Sequence, residues 1–139
     1  MKIIASCGND CSACPRYVKH PYEKTASQLR HTAELWMKIG YREHVVPAAE
    51  IACTGCKPGN WCRYRIVECC EARNCRTCAA CSEYPCKTLN ECFLVTKSFE
   101  PQCRLVCKAE EYEQLKKAFF EKETNLSEER DSAISTSGR

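Results

Sequence analysis

The sequence lacks the long apolar runs and the strong charge asymmetry that mark several classes of protein. No segment approaches the run of about 20 apolar residues that a membrane-spanning helix needs. Residues Met1–Cys7 carry a lysine but almost none of the apolar stretch of a secretory signal. The formal net charge of +3 is small, unlike the dense basic stripe of a dedicated nucleic-acid-binding protein. We therefore expect a cytoplasmic protein with no membrane contact.

Recognisable catalytic groups are scarce as well. The three histidines, His20, His31 and His44, have no second histidine or acid at helical or knuckle spacing, so we interpret them as solvated or core residues. No Ser/His/Asp or paired-carboxylate arrangement can be singled out, and no catalytic residue is predicted. The basic and aromatic run Trp61–Arg65 could stack on single-stranded nucleic acid. We favour a surface beside a metal knuckle instead, so nucleic-acid binding has only weak support.

Cysteine, by contrast, is abundant, with 15 residues among 139. Such a fraction indicates a cysteine scaffold, built from disulfides in oxidising compartments and from metal ions where thiols stay reduced. An odd count argues against a closed set of disulfides, and thiolates are the ligands that soft and borderline metals prefer. The predicted metal ligands are Cys7, Cys11, Cys14, Cys53, Cys56, Cys62, Cys69, Cys78, Cys81 and Cys86.

The spacing of these cysteines predicts two sites. The pairs Cys53/Cys56 and Cys78/Cys81 are separated by residues 57–77, close to the spacing of two zinc-ribbon knuckles, so we predict that they share one zinc ion. The second predicted site joins the triplet at residues 7, 11 and 14 to Cys86. The CxxxCxxC order of that triplet is also found in radical-SAM enzymes, but this chain is too short for their barrel. A redox pair at residues 11 and 14 is disfavoured because no strand–helix alternation is visible.

The segment Cys75–Cys86 leaves an iron–sulfur alternative open. Its C-x2-C-x2-C-x4-C spacing is close to the C-x2-C-x2-C-x3-C-P run of bacterial ferredoxins, but the last gap is longer and Pro85 precedes the final cysteine. This departure favours Zn²⁺, with a [4Fe–4S] cluster in a redox or electron-transfer role as the alternative. Cys103 and Cys107 are predicted to pack on a helix face rather than to bind metal.

Helical periodicity is clearest at two places. Apolar residues recur at steps of three and four over Thr25–Ile39, and Gly40 follows as a left-handed stop, so an amphipathic helix is predicted there. A second helix is predicted over Glu100–Glu123, with Pro101 at its first turn. Cys14 precedes Pro15 and is predicted to cap a helix N-terminus.

The remaining chain lacks a sustained period. Residues 41–88 are predicted to form irregular knuckle loops with a turn at Lys57–Asn60 and one helical stretch over Ile66–Arg73. Residues 124–139 lack apolar periodicity and are predicted to be a disordered tail. The predicted fold class is a small, mostly α, metal-stapled cysteine-rich domain over residues 1–123, with irregular zinc-knuckle loops.

Three motifs taken together resemble a known family. They are CGNDCSACP at residues 7–15, CTGC at residues 53–56 and CAACSEYPC at residues 78–86. Their order resembles the cysteine-rich prokaryotic family designated domain of unknown function 3795, over residues 7–89, and Trp36 also fits. The resemblance implies a small cytoplasmic protein thought to bind zinc or an iron–sulfur cluster, with no established reaction. This chain adds cysteines at 70, 75, 92, 103 and 107, which leave room for a further site. We expect a structural or interaction module with protein partners.

Overall fold

The computed structural model describes residues 1–20, 22–57 and 63–137, with side chains up to residue 132. The predicted turn at Lys57–Asn60, Trp61 and the predicted ligand Cys62 therefore lie partly or wholly outside the described residues. The described part is a small, mostly helical fold, as predicted. Its α-helices are α1 (Ala26–Ile39), α2 (Ala48–Ile51), α3 (Ile66–Ala72), α4 (Lys87–Ser98), α5 (Glu100–Val106), α6 (Ala109–Leu115) and α7 (Lys122–Ser137).

Helix α1 forms where the sequence predicts it and has well-defined ends. The Thr25 hydroxyl accepts a hydrogen bond from the backbone N–H of Gln28 at 3.1 Å, and the Gln28 side chain accepts one from the Thr25 N–H at 2.8 Å. This reciprocal capping satisfies two N–H groups that would otherwise lack partners. Gly40 ends the helix at φ 104°, a left-handed conformation that glycine adopts without steric cost.

Two hydrophobic clusters hold the described chain together. The first surrounds Trp36 of α1, whose ring lies 5.4 Å from that of Tyr41 and 5.9 Å from that of Phe119. Cys103 is completely buried in this cluster, in agreement with its predicted packing role. The second cluster mixes aliphatic and thiol side chains. Its buried members are Ala5, Cys7, Ile66, Cys70, Ala79, Leu89, Cys92 and Leu126.

The predicted single helix over Glu100–Glu123 is wrong. Cys107 is extended, with φ −91° and ψ 149°, and it ends α5. A new helix then starts because the Glu111 carboxylate accepts the Lys108 N–H at 2.9 Å, which caps α6. Residues Lys116–Phe120 form a π-helical turn that leads toward α7. Helix α4 was not predicted, because its apolar residues show no strong period.

The prediction of a disordered tail is also wrong over residues 124–137, which belong to α7. Leu126 is fully buried, and the Asn125 side-chain amide donates a hydrogen bond to the Gly8 carbonyl oxygen at 2.9 Å. The Arg130 guanidinium donates to the Ala79 carbonyl oxygen at 2.9 Å. One buried leucine and several polar contacts hold this segment against the rest of the protein. Its sequence therefore shows no repeating apolar pattern from which a helix could be predicted. None of the helices described here has both the length and the apolar character needed to cross a bilayer.

Candidate cysteine-lined sites

A short parallel bridge brings the first two CxxC segments together. Tyr17 and Cys53 form the bridge, the Cys53 N–H donates to the Arg16 carbonyl oxygen at 2.8 Å, and the Val18 N–H donates to the Cys53 carbonyl oxygen at 2.9 Å. The chain just after Cys14 is thus paired with the chain entering the CTGC motif. This pairing places Cys53 and Cys56 beside Cys11 and Cys14, and we name these four residues the N-terminal thiol group.

Each half of the N-terminal thiol group is a tight turn. Residues Cys11–Ala13 form a 3₁₀ turn capped by Asp10, whose carboxylate accepts from the Ser12 N–H at 3.0 Å. Cys14 ends this turn with φ −79° and ψ 124°, so the prediction that it caps a helix N-terminus is wrong. In the other half, Gly55 at φ 109° directs its N–H toward the Cys53 sulfur at 3.4 Å. Only a residue that tolerates positive φ can make this turn without strain.

The thiols of the N-terminal thiol group perturb one another electrostatically. Burial first, and then the neighbouring charges at Cys14, Cys53 and Cys56, raise the pKa of Cys11 to about 12. Burial also raises the pKa of Cys14, although the backbone N–H of Arg16 opposes the shift. Four thiolates in this position would repel one another, and a bound cation would offset that repulsion.

A second set of cysteines lines a cavity of about 220 Å³ between α3, the turn at Cys78–Ala80 and the start of α4. The cysteines around this cavity, which we name the cysteine cavity, are Cys69, Cys70, Cys75, Cys78, Cys81 and Cys86. The sulfurs of Cys70 and Cys78 lie 3.8 Å apart. Cys75 lies within electrostatic range of Cys70, and Cys86 lies within electrostatic range of Cys78.

The cysteine cavity has an inner and an outer part. Burial raises the pKa of Cys70 to about 12 and raises that of Cys78 still further, so these thiols belong to its interior. At the mouth, the Arg73 guanidinium forms an ion pair with Glu83 and a hydrogen bond with the exposed thiol of Cys69. Cys81 lies close enough to Arg73 to interact with its charge. The mouth therefore combines thiols with the Arg73–Glu83 ion pair.

Cys7 lies in a third environment. A hydrogen bond from the Cys92 thiol and the positive charge of Lys122 lower the pKa of Cys7, although burial opposes them. The Lys122 ammonium donates to the Cys92 sulfur at 3.5 Å and to the Thr96 hydroxyl at 2.9 Å. The immediate partners of Cys7 are thus a thiol and an ammonium group in the second hydrophobic cluster.

The structure groups the predicted ligands differently from the prediction. Cys53 interacts with the turn that contains Cys11, whereas the interactions of Cys78 are with Cys70, Cys7 and Cys86. The predicted sharing of one ion by residues 53, 56, 78 and 81 has no support in these contacts. The same is true of the predicted union of Cys86 with the triplet at residues 7, 11 and 14.

All described cysteines are free thiols. Within the part of the chain that the structure describes, no three His, Cys, Asp or Glu side chains are arranged so that they could hold a metal ion as they stand. Two residues of the cysteine cavity, Cys70 and Cys75, were not among the predicted ligands. Helical phase could have identified Cys70, because Ile66 and Cys70 are four residues apart on the buried face of α3.

These features define a small, mostly helical, cysteine-rich domain with two separate groups of thiols. The chain belongs to the family described as Protein of unknown function (DUF3795), whose sequence profile matches residues 3–91. This match confirms the resemblance seen in the three cysteine motifs, and it spans the N-terminal thiol group and the cysteine cavity. No curated protein and no solved structure matches the chain.

Proposed function

We propose that this protein binds zinc through Cys11, Cys14, Cys53 and Cys56. The observation that carries the proposal is the Tyr17–Cys53 bridge, which sets two CxxC turns side by side. Paired CxxC turns are the usual source of the four thiolates of a structural zinc site. The N–H of Gly55, directed at the Cys53 sulfur, suits a thiolate because backbone donors stabilise its negative charge.

Zinc binding requires the thiols to lose their protons and to turn toward a common point. Cys56 is exposed, whereas Cys11, Cys14 and Cys53 are half-buried, and Cys11 and Cys14 pack at the edges of the two hydrophobic clusters. Zn²⁺ would neutralise charges that burial and mutual repulsion now disfavour. The bound ion would tie the N-terminal loop to residues 53–56.

A site filled by four protein sulfurs leaves no coordination position for a substrate. We therefore propose a structural role for this zinc, in a module that acts through contacts with protein partners in the cytoplasm. The alternative function is that of an iron–sulfur protein with a redox or electron-transfer role. The six thiols of the cysteine cavity are the observation in its favour, because a [4Fe–4S] cluster needs four cysteines around one space.

Metal analysis of the anaerobically purified full chain tests the proposal. We expect zinc in the protein, loss of one equivalent in Cys56→Ser, and no loss in Cys107→Ser, a matched change at a half-buried cysteine outside both thiol groups. Full zinc content and an unchanged melting curve in Cys56→Ser would refute the assignment. Iron with broad visible absorption, in place of zinc, would favour the iron–sulfur alternative.

A further inference from the structure

We infer a second metal site in the cysteine cavity, formed by Cys70, Cys75, Cys78 and Cys86 and selective for a thiophilic divalent cation of the zinc type. This site is separate from the N-terminal thiol group and does not depend on it. Two of its residues, Cys70 and Cys75, lie outside the cysteine pattern on which the family resemblance rests.

The local backbone brings Cys75 back to Cys70. Helix α3 ends at Arg73, and Asn74 adopts a left-handed conformation with φ 57°, which asparagine tolerates better than most residues. The chain reverses there, and the Cys75 N–H donates to the Cys70 carbonyl oxygen at 2.9 Å. This reversal returns Cys75 to the neighbourhood of Cys70, within electrostatic range of its thiol.

One pair of sulfurs has the separation expected of two ligands of a single ion, and the other two side chains would have to turn toward that pair, because no three described side chains are placed to hold an ion as they stand. Cys70 and Cys78 have their sulfurs 3.8 Å apart. A tetrahedron of sulfurs at a zinc–sulfur distance of about 2.3 Å has an edge of about 3.8 Å. In a [4Fe–4S] cluster each cysteine binds a different iron, so the ligand sulfurs lie farther apart than two ligands of one ion. The observed contact therefore favours a mononuclear site.

Cys86 is held in place as the fourth ligand. It is the N-cap of α4, and its sulfur accepts the Leu89 N–H at 3.4 Å. The N-terminus of this 12-residue helix carries partial positive charge, which favours a thiolate there. Cys86 also lies within electrostatic range of Cys78, the residue that contacts Cys70.

Positive charge at the mouth of the cavity matches such a site. A divalent ion bound to four thiolates has net negative charge, and the cavity is lined by Lys87 and by Arg73, which is paired with Glu83. Cys69 and Cys81 are nearer to Arg73, at the mouth, and are not needed to complete four-fold coordination. The neighbours Cys69 and Cys70 thus have opposite roles, since Cys70 is 3 % exposed and Cys69 is exposed.

This difference provides a matched pair of variants for anaerobic metal analysis of the full chain. We expect two zinc equivalents in the wild type and one in Cys70→Ser, whereas Cys69→Ser keeps both. Cys56→Ser should lose only the zinc of the N-terminal thiol group. The two site assignments can therefore be refuted independently of each other. Equal loss in Cys69→Ser and Cys70→Ser, or full retention in Cys70→Ser, would overturn the ligand assignment.

Cadmium NMR of the cadmium-loaded wild-type chain, compared with that of Cys56→Ser, gives a second readout that separates the two sites. We expect a resonance from a four-sulfur environment that persists in Cys56→Ser. Absence of that resonance in Cys56→Ser, or iron with visible absorption that persists in this variant, would overturn the second zinc-type site.

Discussion

Replacing Leu126 by alanine tests whether α7 is part of the folded domain. Leu126 is 0 % exposed and packs in the second hydrophobic cluster against the loop at Gly8. The change removes the branched end of the side chain, and about 0.8 kcal/mol per buried carbon gives a transfer cost of about 2.5 kcal/mol. Incomplete collapse of the cavity adds up to about 2 kcal/mol. We therefore expect the free energy of unfolding to fall by about 2.5–4.5 kcal/mol.

Urea unfolding of the metal-loaded protein, followed by circular dichroism, measures this loss. The control is Leu105→Ala on α5, because Leu105 is 78 % exposed. Its free energy of unfolding should change by no more than about 0.5 kcal/mol. If Leu126→Ala changes the free energy of unfolding as little as Leu105→Ala does, α7 is not packed against the domain and the burial of Leu126 does not stabilise the fold.

Two further variants test the loop at Gly8 and the start of α6. Gly8 has φ 98°, and a Cβ there would lie 2.6 Å from the Lys122 carbonyl oxygen, so Gly8→Ala should lower stability by about 2–4 kcal/mol. Gly40→Ala shares the positive φ without that clash and should cost less in the same urea assay; equal losses would refute the close approach of α7. The backbone N–H of Lys108, and then His31, lower the pKa of Glu111. The stability from this carboxylate is thus present above its unfolded pKa and is lost as the pH falls through the folded pKa. Glu111→Gln should cost about 0.5–1 kcal/mol at neutral pH and nothing at acidic pH, whereas Glu110→Gln, at an exposed neighbour that does not cap the helix, should cost less at neutral pH.

Local signals in the sequence predict α1 and α3 well. At α1, the apolar period, the Thr25 cap and the Gly40 stop all agree, and agreement between such signals makes a helix boundary reliable. Helix α4 is harder to predict because its N-cap is Cys86, which is not one of the usual capping residues. Helix α7 depends on a single buried leucine and on polar contacts to distant residues such as Gly8, and these contacts leave no periodic trace.

The grouping of the cysteines shows a related limit. A CxxC motif specifies a local turn, and Cys53/Cys56 could pair with Cys11/Cys14 or with Cys78/Cys81 on spacing alone. The choice is made by the Tyr17–Cys53 bridge, a contact between residues far apart in sequence. Spacing rules assume that the CxxC motifs nearest in sequence lie side by side. Here a contact between distant residues places Cys53/Cys56 beside Cys11/Cys14 instead.

For the adjacent cysteines of α3, the sequence alone is enough to tell the buried residue from the exposed one. Cys69 and Cys70 cannot both point at one ion, so one of them must be chosen. Ile66, Val67 and Cys70 are buried and lie at steps of three and four, so they form one apolar stripe, while Cys69 lies off that stripe and is exposed. The helical period therefore assigns Cys70 to the interior before any contact is known. It follows that Cys70, rather than Cys69, is the residue of this pair whose loss should remove a metal ion.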